Sequence, residues 1–115
     1  MRFLCGLILL IGATAICTSA ADPAAVKKEF VRYCAKCHGT EGKGDGPQAD
    51  ALTTKPRDFT DCARMQKESA DMLFATIKDG GEAVHLSKDM PAWKDGMDDV
   101  EIHDLVVYVR SLCKP

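Results

Sequence analysis

Cys34-Ala35-Lys36-Cys37-His38 is the stretch around which the chain is organised. Cysteines at i and i+3 followed by histidine at i+4 share one face at the end of a helix. In that arrangement two thiols reach the two vinyl groups of a haem while the neighbouring imidazole comes under the iron, so the motif reads as covalent haem c attachment through Cys34 and Cys37, with His38 as one iron ligand. A dithiol oxidoreductase would instead open a helix with its Cys-x-x-Cys after a strand, and the sequence carries no alternating strand pattern. A structural zinc site needs a second ligand pair at tight spacing, whereas Cys62 and Cys113 stand far apart in the chain.

Outward from the motif the periodicity is helical. Asp22-Pro23 supplies an N-cap followed by proline at the first helical position, and Val26, Phe30, Tyr33, Cys34 and Cys37 recur at helical spacing, which predicts a helix from about 23 to 36. Ser69 caps a second helix with Leu73, Phe74 and Ile77 on its apolar side and Gly80-Gly81 at its end. Asp98 with Glu101 forms a capping-box pattern for a third, where Ile102, Leu105, Val106, Val109 and Leu112 line one face. Residues 39–61 hold four glycines and two prolines and read as loop, with one short helical turn near 47–52.

The ends and the composition bound the rest. Met1-Arg2 precedes an uncharged apolar stretch, Phe3 to Cys17, and then Thr18-Ser19-Ala20-Ala21-Asp22, the pattern of a cleaved secretory signal over 1–21. That leaves a single small domain over 22–115 with no membrane span, a size that benefits from an added staple. The whole chain, 115 residues, carries a formal charge of −2, and loss of Arg2 makes the mature domain one unit more acidic. Such a balance excludes a generic basic nucleic-acid binder.

Taken together, Phe30 four residues before Cys34, the haem motif through Gly39, Gly42-Lys43-Gly44-Asp45-Gly46-Pro47, Met90-Pro91-Ala92-Trp93, and a C-terminal helix with Leu105 and Tyr108 resemble a class I cytochrome c of the bacterial kind. The resemblance covers about 24 to 112. It implies an all-α fold: three main helices and long loops around one covalently attached haem c, with the terminal helices crossing and iron held by histidine on one side and methionine on the other. At the helix crossing this chain has Val26 where many relatives have glycine.

The sixth iron ligand must come from Met65, Met72, Met90, Met97, His85 or His103. A thioether raises the potential relative to a second histidine. Met72 reads as core and Met65 as a surface or gap-filling residue. Met90 is favoured, because Pro91 stiffens its loop and the family motif puts its ligand there. His85, in the same loop, is the competitor, and its plainer reading is a solvated loop histidine; His103 reads as a surface residue. The resemblance makes the Pro47 carbonyl the acceptor for the other ring N–H of His38. Arg57 either pairs with a haem propionate or is a solvated loop charge, and Trp93 is expected to pack on the ring or donate its indole N–H. Phe30, Phe74, Leu105 and Tyr108 are expected in the core. In an oxidising compartment Cys62 and Cys113 are expected to pair, closing a loop for about 4 kcal/mol in the chain-entropy model, with two free thiols or an intermolecular bond as the alternatives.

The expected function is a periplasmic carrier of single electrons between a donor and an acceptor redox protein, monomeric or as a complex subunit. The alternatives are a cytochrome subunit of a larger dehydrogenase or oxidase complex, or a haem sensor or enzyme with an open or bis-histidine iron. No catalytic acid, base or nucleophile constellation accompanies the motif, so the chain is not expected to be an enzyme itself. Between Asp89 and Asp104 six acids face Lys94 alone. That stretch would steer a basic partner, although the helix dipole alone also explains acids at a helix start.

Overall fold

A computed structural model describes residues 20–114, and the expected leader up to residue 19 lies outside them. Helix α1 spans Pro23–Tyr33, with the Asp22 carboxylate accepting from the Ala24 amide at 3.0 Å. It ends before the haem motif does. Cys34 takes φ −111°, and the chain resumes as a separate turn, α2, over Ala35–His38. The helix expected over 23–36 is therefore split at Cys34. The carbonyls of α2 are bound by a distant loop rather than by a continuing helix: the amides of Gly44, Gly46 and Gln48 donate to the carbonyls of His38, Cys37 and Lys36 at 2.8, 3.0 and 3.0 Å. Gly46 has to be glycine here, because a Cβ would sit 2.5 Å from the carbonyl oxygens of Ala35 and Lys36. The turn expected near 47–52 is a 3-10 helix over Ala49–Ala51.

A one-turn helix that the sequence did not announce, α3 over Cys62–Met65, follows the Asp61 cap. The Cys62 and Cys113 sulfurs are joined at 2.04 Å, so α3 is fastened to the end of the chain's last helix. Of the two places expected for Met65, the surface or a gap in the packing, it takes the buried one and is 3% exposed in the core.

Helix α4 spans Ala70–Asp79 under a Ser69 cap, with the Met72 amide donating to Ser69 Oγ at 3.0 Å. Helix α5 spans Asp99–Ser111 and opens on a complete capping box: Asp98 Oδ1 accepts from the Val100 and Glu101 amides at 2.9 Å, and Glu101 Oε2 accepts from the Asp98 amide at 2.8 Å. Its buried residues Ile102, Leu105, Val106 and Val109 follow helical spacing, each contributing about 2 kcal/mol by leaving water. Ile102, Leu105 and Val109 share one core cluster with Val26 and Phe30 of α1, with Phe30 against Tyr108 at 5.2 Å between ring centroids. Val26, in the position where glycine had been the comparison, is buried at 7% exposure in this packing. No described helix is long and apolar enough to cross a membrane.

Phe74 and Tyr108 are half-buried against this core rather than within it. Helix α4 has no fully buried residue. The reason is that α4 lies between the core and a cavity, and Met72, expected in the core, is 42% exposed on the cavity wall.

Candidate haem site

The cavity has a volume of about 720 Å³ and collects residues from every part of the domain. Cys34, Cys37 and His38 line it from the α1–α2 junction, Met90 and Trp93 from the loop after α4, and Leu52, Phe59, Leu73 and Ile77 supply apolar surface.

His38 is held from two directions. Its Nδ1–H donates to the Arg57 carbonyl at 3.2 Å, which leaves Nε2 as the lone-pair nitrogen. Phe59 stacks on the imidazole with centroids 4.7 Å apart. Burial pushes the imidazole pKa below its ordinary value, the Arg57 carbonyl opposes that, and the Arg57 charge adds to it; the ring is neutral, the form that binds a metal. The acceptor expected at Pro47 is thus found at Arg57. The amides on either side of Pro47 are committed to the carbonyls of α2, which leaves Pro47 exposed, while the Phe59 amide donates to the Gly42 carbonyl at 2.7 Å and fastens the 56–59 segment beside His38.

Cys34 and Cys37, both half-buried, are not joined to each other in a disulfide. Burial and then the neighbouring Cys37 push the Cys34 thiol up to about 11.

Met90 sits in a loop bound back onto α4. The Gly81 amide donates to the Met90 carbonyl at 2.9 Å, the Met90 amide to Ser87 at 3.2 Å, and the Trp93 amide to Ile77 at 3.0 Å. Gly81 is packed so closely that a Cβ would lie 2.1 Å from the Ser87 carbonyl oxygen. Across the cavity mouth, the Asp89 carboxylate accepts from the Thr53 amide at 2.8 Å and from the Thr53 hydroxyl. These donors to Asp89 hold its carboxyl below the usual carboxylate range.

His85 caps a short 3-10 turn at φ +60°, exposed and off the cavity lining. His103 is exposed and stacks on Phe74 at 4.2 Å. Met65 and Met97 are buried in the core. Of the sulfur candidates, Met90 and Met72 line the cavity. Arg57 lines it as well, and its guanidinium forms an ion pair with Glu68, a residue the sequence did not single out. Trp93 packs against Tyr33 with centroids 5.7 Å apart. No cluster of three His, Cys, Asp or Glu side chains placed to hold a metal ion by themselves occurs among the described residues.

A largely apolar cavity with two thiols and a neutral imidazole on one turn of its wall fits a flat macrocycle bound through thioethers. Comparisons with known proteins agree. The profile of the family described as cytochrome c oxidase, cbb3-type, subunit III matches residues 21–109. The chain is 34% identical over 91 residues to the cbb3-type cytochrome c oxidase subunit FixP of Bradyrhizobium sp. (strain ORS 278), covering 79% of this chain and 28% of that protein. It is 33% identical over 91 residues to FixP of Bradyrhizobium diazoefficiens, with the same coverage of 79% and 28%. The chain therefore spans little more than a quarter of these relatives. Among solved structures, the KustC0563 c-type cytochrome superposes with a TM-score of 0.63 at 25% identity, over 76% of this chain and 96% of that one. A chain of the Kuenenia stuttgartiensis reducing HAO-like protein complex Kustc0457/Kustc0458 superposes with a TM-score of 0.64 at 31% identity, over 80% of this chain and 44% of that one. The all-α chain belongs to the cytochrome c oxidase, cbb3-type, subunit III family and is a c-type cytochrome domain with covalently bound haem c and its iron.

Proposed function

We propose that this domain passes single electrons between redox proteins, with haem c held by Cys34 and Cys37 and its iron between His38 and Met90. The observation that carries the reading is that one apolar cavity receives the haem motif and the Met90 loop together. The bound haem supplies a one-electron iron couple. His38, donating Nδ1–H to Arg57, is a fixed and electron-rich donor, and the neutral Met90 thioether favours the reduced metal. The contacts from Gly81 to Met90 and from Thr53 to Asp89 keep the sulfur in place, while Phe59, Leu73 and Ile77 exclude water. Arg57 retains guanidinium donors for a propionate beyond those facing Glu68, and Trp93 supplies an aromatic wall.

The domain works after export, in the periplasm, as residues 22–115 following a leader over 1–21, and the electron transfer chemistry requires no catalytic group of its own. Service as a subunit of a larger redox complex is the second reading. It is supported by relatives named as oxidase subunits and by a structural neighbour taken from a complex. Gel filtration of native extract separates the two readings. A free carrier elutes as a small protein, and a subunit elutes with its complex.

The ligand set is tested by the absorption spectrum of the purified ferric protein. A sulfur-to-iron charge-transfer band lost in Met90→Ala and kept in His85→Ala establishes Met90. A band lost in His85→Ala alone overturns it.

A further inference from the structure

We propose that Glu68 is a positioning residue for the axial histidine: by holding the Arg57 guanidinium, it fixes the backbone carbonyl that receives the Nδ1–H of His38. The inference rests on the reading of His38 as an iron ligand.

Arg57 lies in a segment without regular secondary structure, so no helix or strand sets the direction of its carbonyl. Its side chain does have an anchor. The guanidinium pairs with the Glu68 carboxylate, and both side chains are only about one-fifth exposed, 21% and 23%, where an ion pair is less screened than at an open surface. Lys43, Lys55, Asp58, Asp61 and Arg64 are further charged groups that line the cavity.

Glu68 is itself fixed from α5. Arg110 Nη1 donates to the Glu68 carbonyl at 2.7 Å, the Glu68 amide donates to the Met65 carbonyl at 3.2 Å, and α3 just upstream is joined to the end of α5 through Cys62–Cys113. A continuous path thus runs from the last turn of α5 through Glu68 and Arg57 to the imidazole. An imidazole whose N–H is well bonded is a stronger donor and stabilises ferric iron. Loosening Arg57 weakens that bond, and the potential rises. Removing the Glu68 charge also raises it, so the two effects must be separated.

The separation uses two variants of the haem-loaded protein. Glu68→Gln removes the charge but keeps an oxygen that accepts from Arg57, whereas Glu68→Ala removes both. The readouts are the midpoint potential and the solvent-exchange rate of the His38 ring N–H, followed by its hyperfine-shifted NMR resonance. The expected result is that Glu68→Ala raises the potential further than Glu68→Gln and speeds exchange by about tenfold or more, the scale of a lost charge-assisted hydrogen bond. Equal potential shifts in both variants with unchanged exchange would overturn the inference and leave Glu68 as a charge only. A wild-type protein without any hyperfine-shifted imidazole N–H would overturn the ligand reading, and this inference with it, before the variants are compared.

Discussion

Phe59 lies nearly parallel to the imidazole of His38, 21° between planes, and meets Phe30 edge-on at 6.3 Å. The haem-motif histidine is thereby continuous with the α1–α5 core, so the packing that stabilises the domain also orients the ring. Phe59→Ala removes a side chain that is 8% exposed, and is expected to cost about 3–5 kcal/mol in denaturant unfolding, with a broadened ferric spectrum. A loss under about 1 kcal/mol would contradict this role.

Carbon monoxide distinguishes a closed iron from an open one. With Met90 bound, the reduced protein is expected to bind CO slowly or not at all at neutral pH, and Met90→Ala is expected to bind it at once. Stopped-flow mixing measures both. Rapid binding by the unaltered protein would favour a sensor or enzyme instead.

The α2 turn leaves no room opposite Gly46. Gly46→Ala places a methyl group against the Ala35 and Lys36 carbonyls, in the same turn as Cys37 and His38. The expected result is a sharp loss of haem-loaded protein, beyond about 2 kcal/mol in whatever material is recovered. Yield of holoprotein by haem absorbance checks it, with Ala51→Gly as the control at an exposed position.

The Cys62–Cys113 bridge spans 51 residues, and its removal in a Cys62→Ala, Cys113→Ala double variant is expected to lower stability by about 2–4 kcal/mol. The haem absorption should be retained. Mass spectrometry with and without reductant monitors the bond directly, and alkylation of both thiols before reduction would contradict it.

Asp58 accepts from the Thr60 hydroxyl at 2.6 Å and the Thr60 amide at 2.8 Å, and the hydroxyl first of all holds its carboxyl below the usual carboxylate range. A depressed folded-state pKa stabilises the fold above the unfolded value near 3.8, and that contribution fades as pH falls through the folded value. Asp58→Asn should therefore be less stable than the unaltered protein at neutral pH. The gap should close in strong acid. Thermal unfolding across an acid series measures it, and a gap that widens with acidity would contradict the assignment.

Much of this protein was legible along the chain because the governing interactions are local. The caps at Asp22, Ser69 and Asp98 act within one helical turn, and the buried row Ile102, Leu105, Val106 and Val109 announces itself by its period. Cys34, Cys37 and His38 read as a haem c motif because attachment needs its residues on one short turn. The split at Cys34 could not be read in the same way. It depends on amides contributed by residues 44–48, and periodicity contains no information about partners outside its own window.

The same limit explains Met65, Met72, Pro47 and Glu68. Sequence neighbours left Met65 open between the surface and a gap in the packing, and it is buried in the core; Met72 looked like core, yet the far side of α4 is a cavity. The sequence by itself determined the caps and the apolar faces of the three main helices, since spacing and capping are one-dimensional properties. Only the tertiary structure decided which carbonyl receives the His38 proton and which acid steadies it, since Arg57, Glu68 and Arg110 meet only when the chain closes on itself.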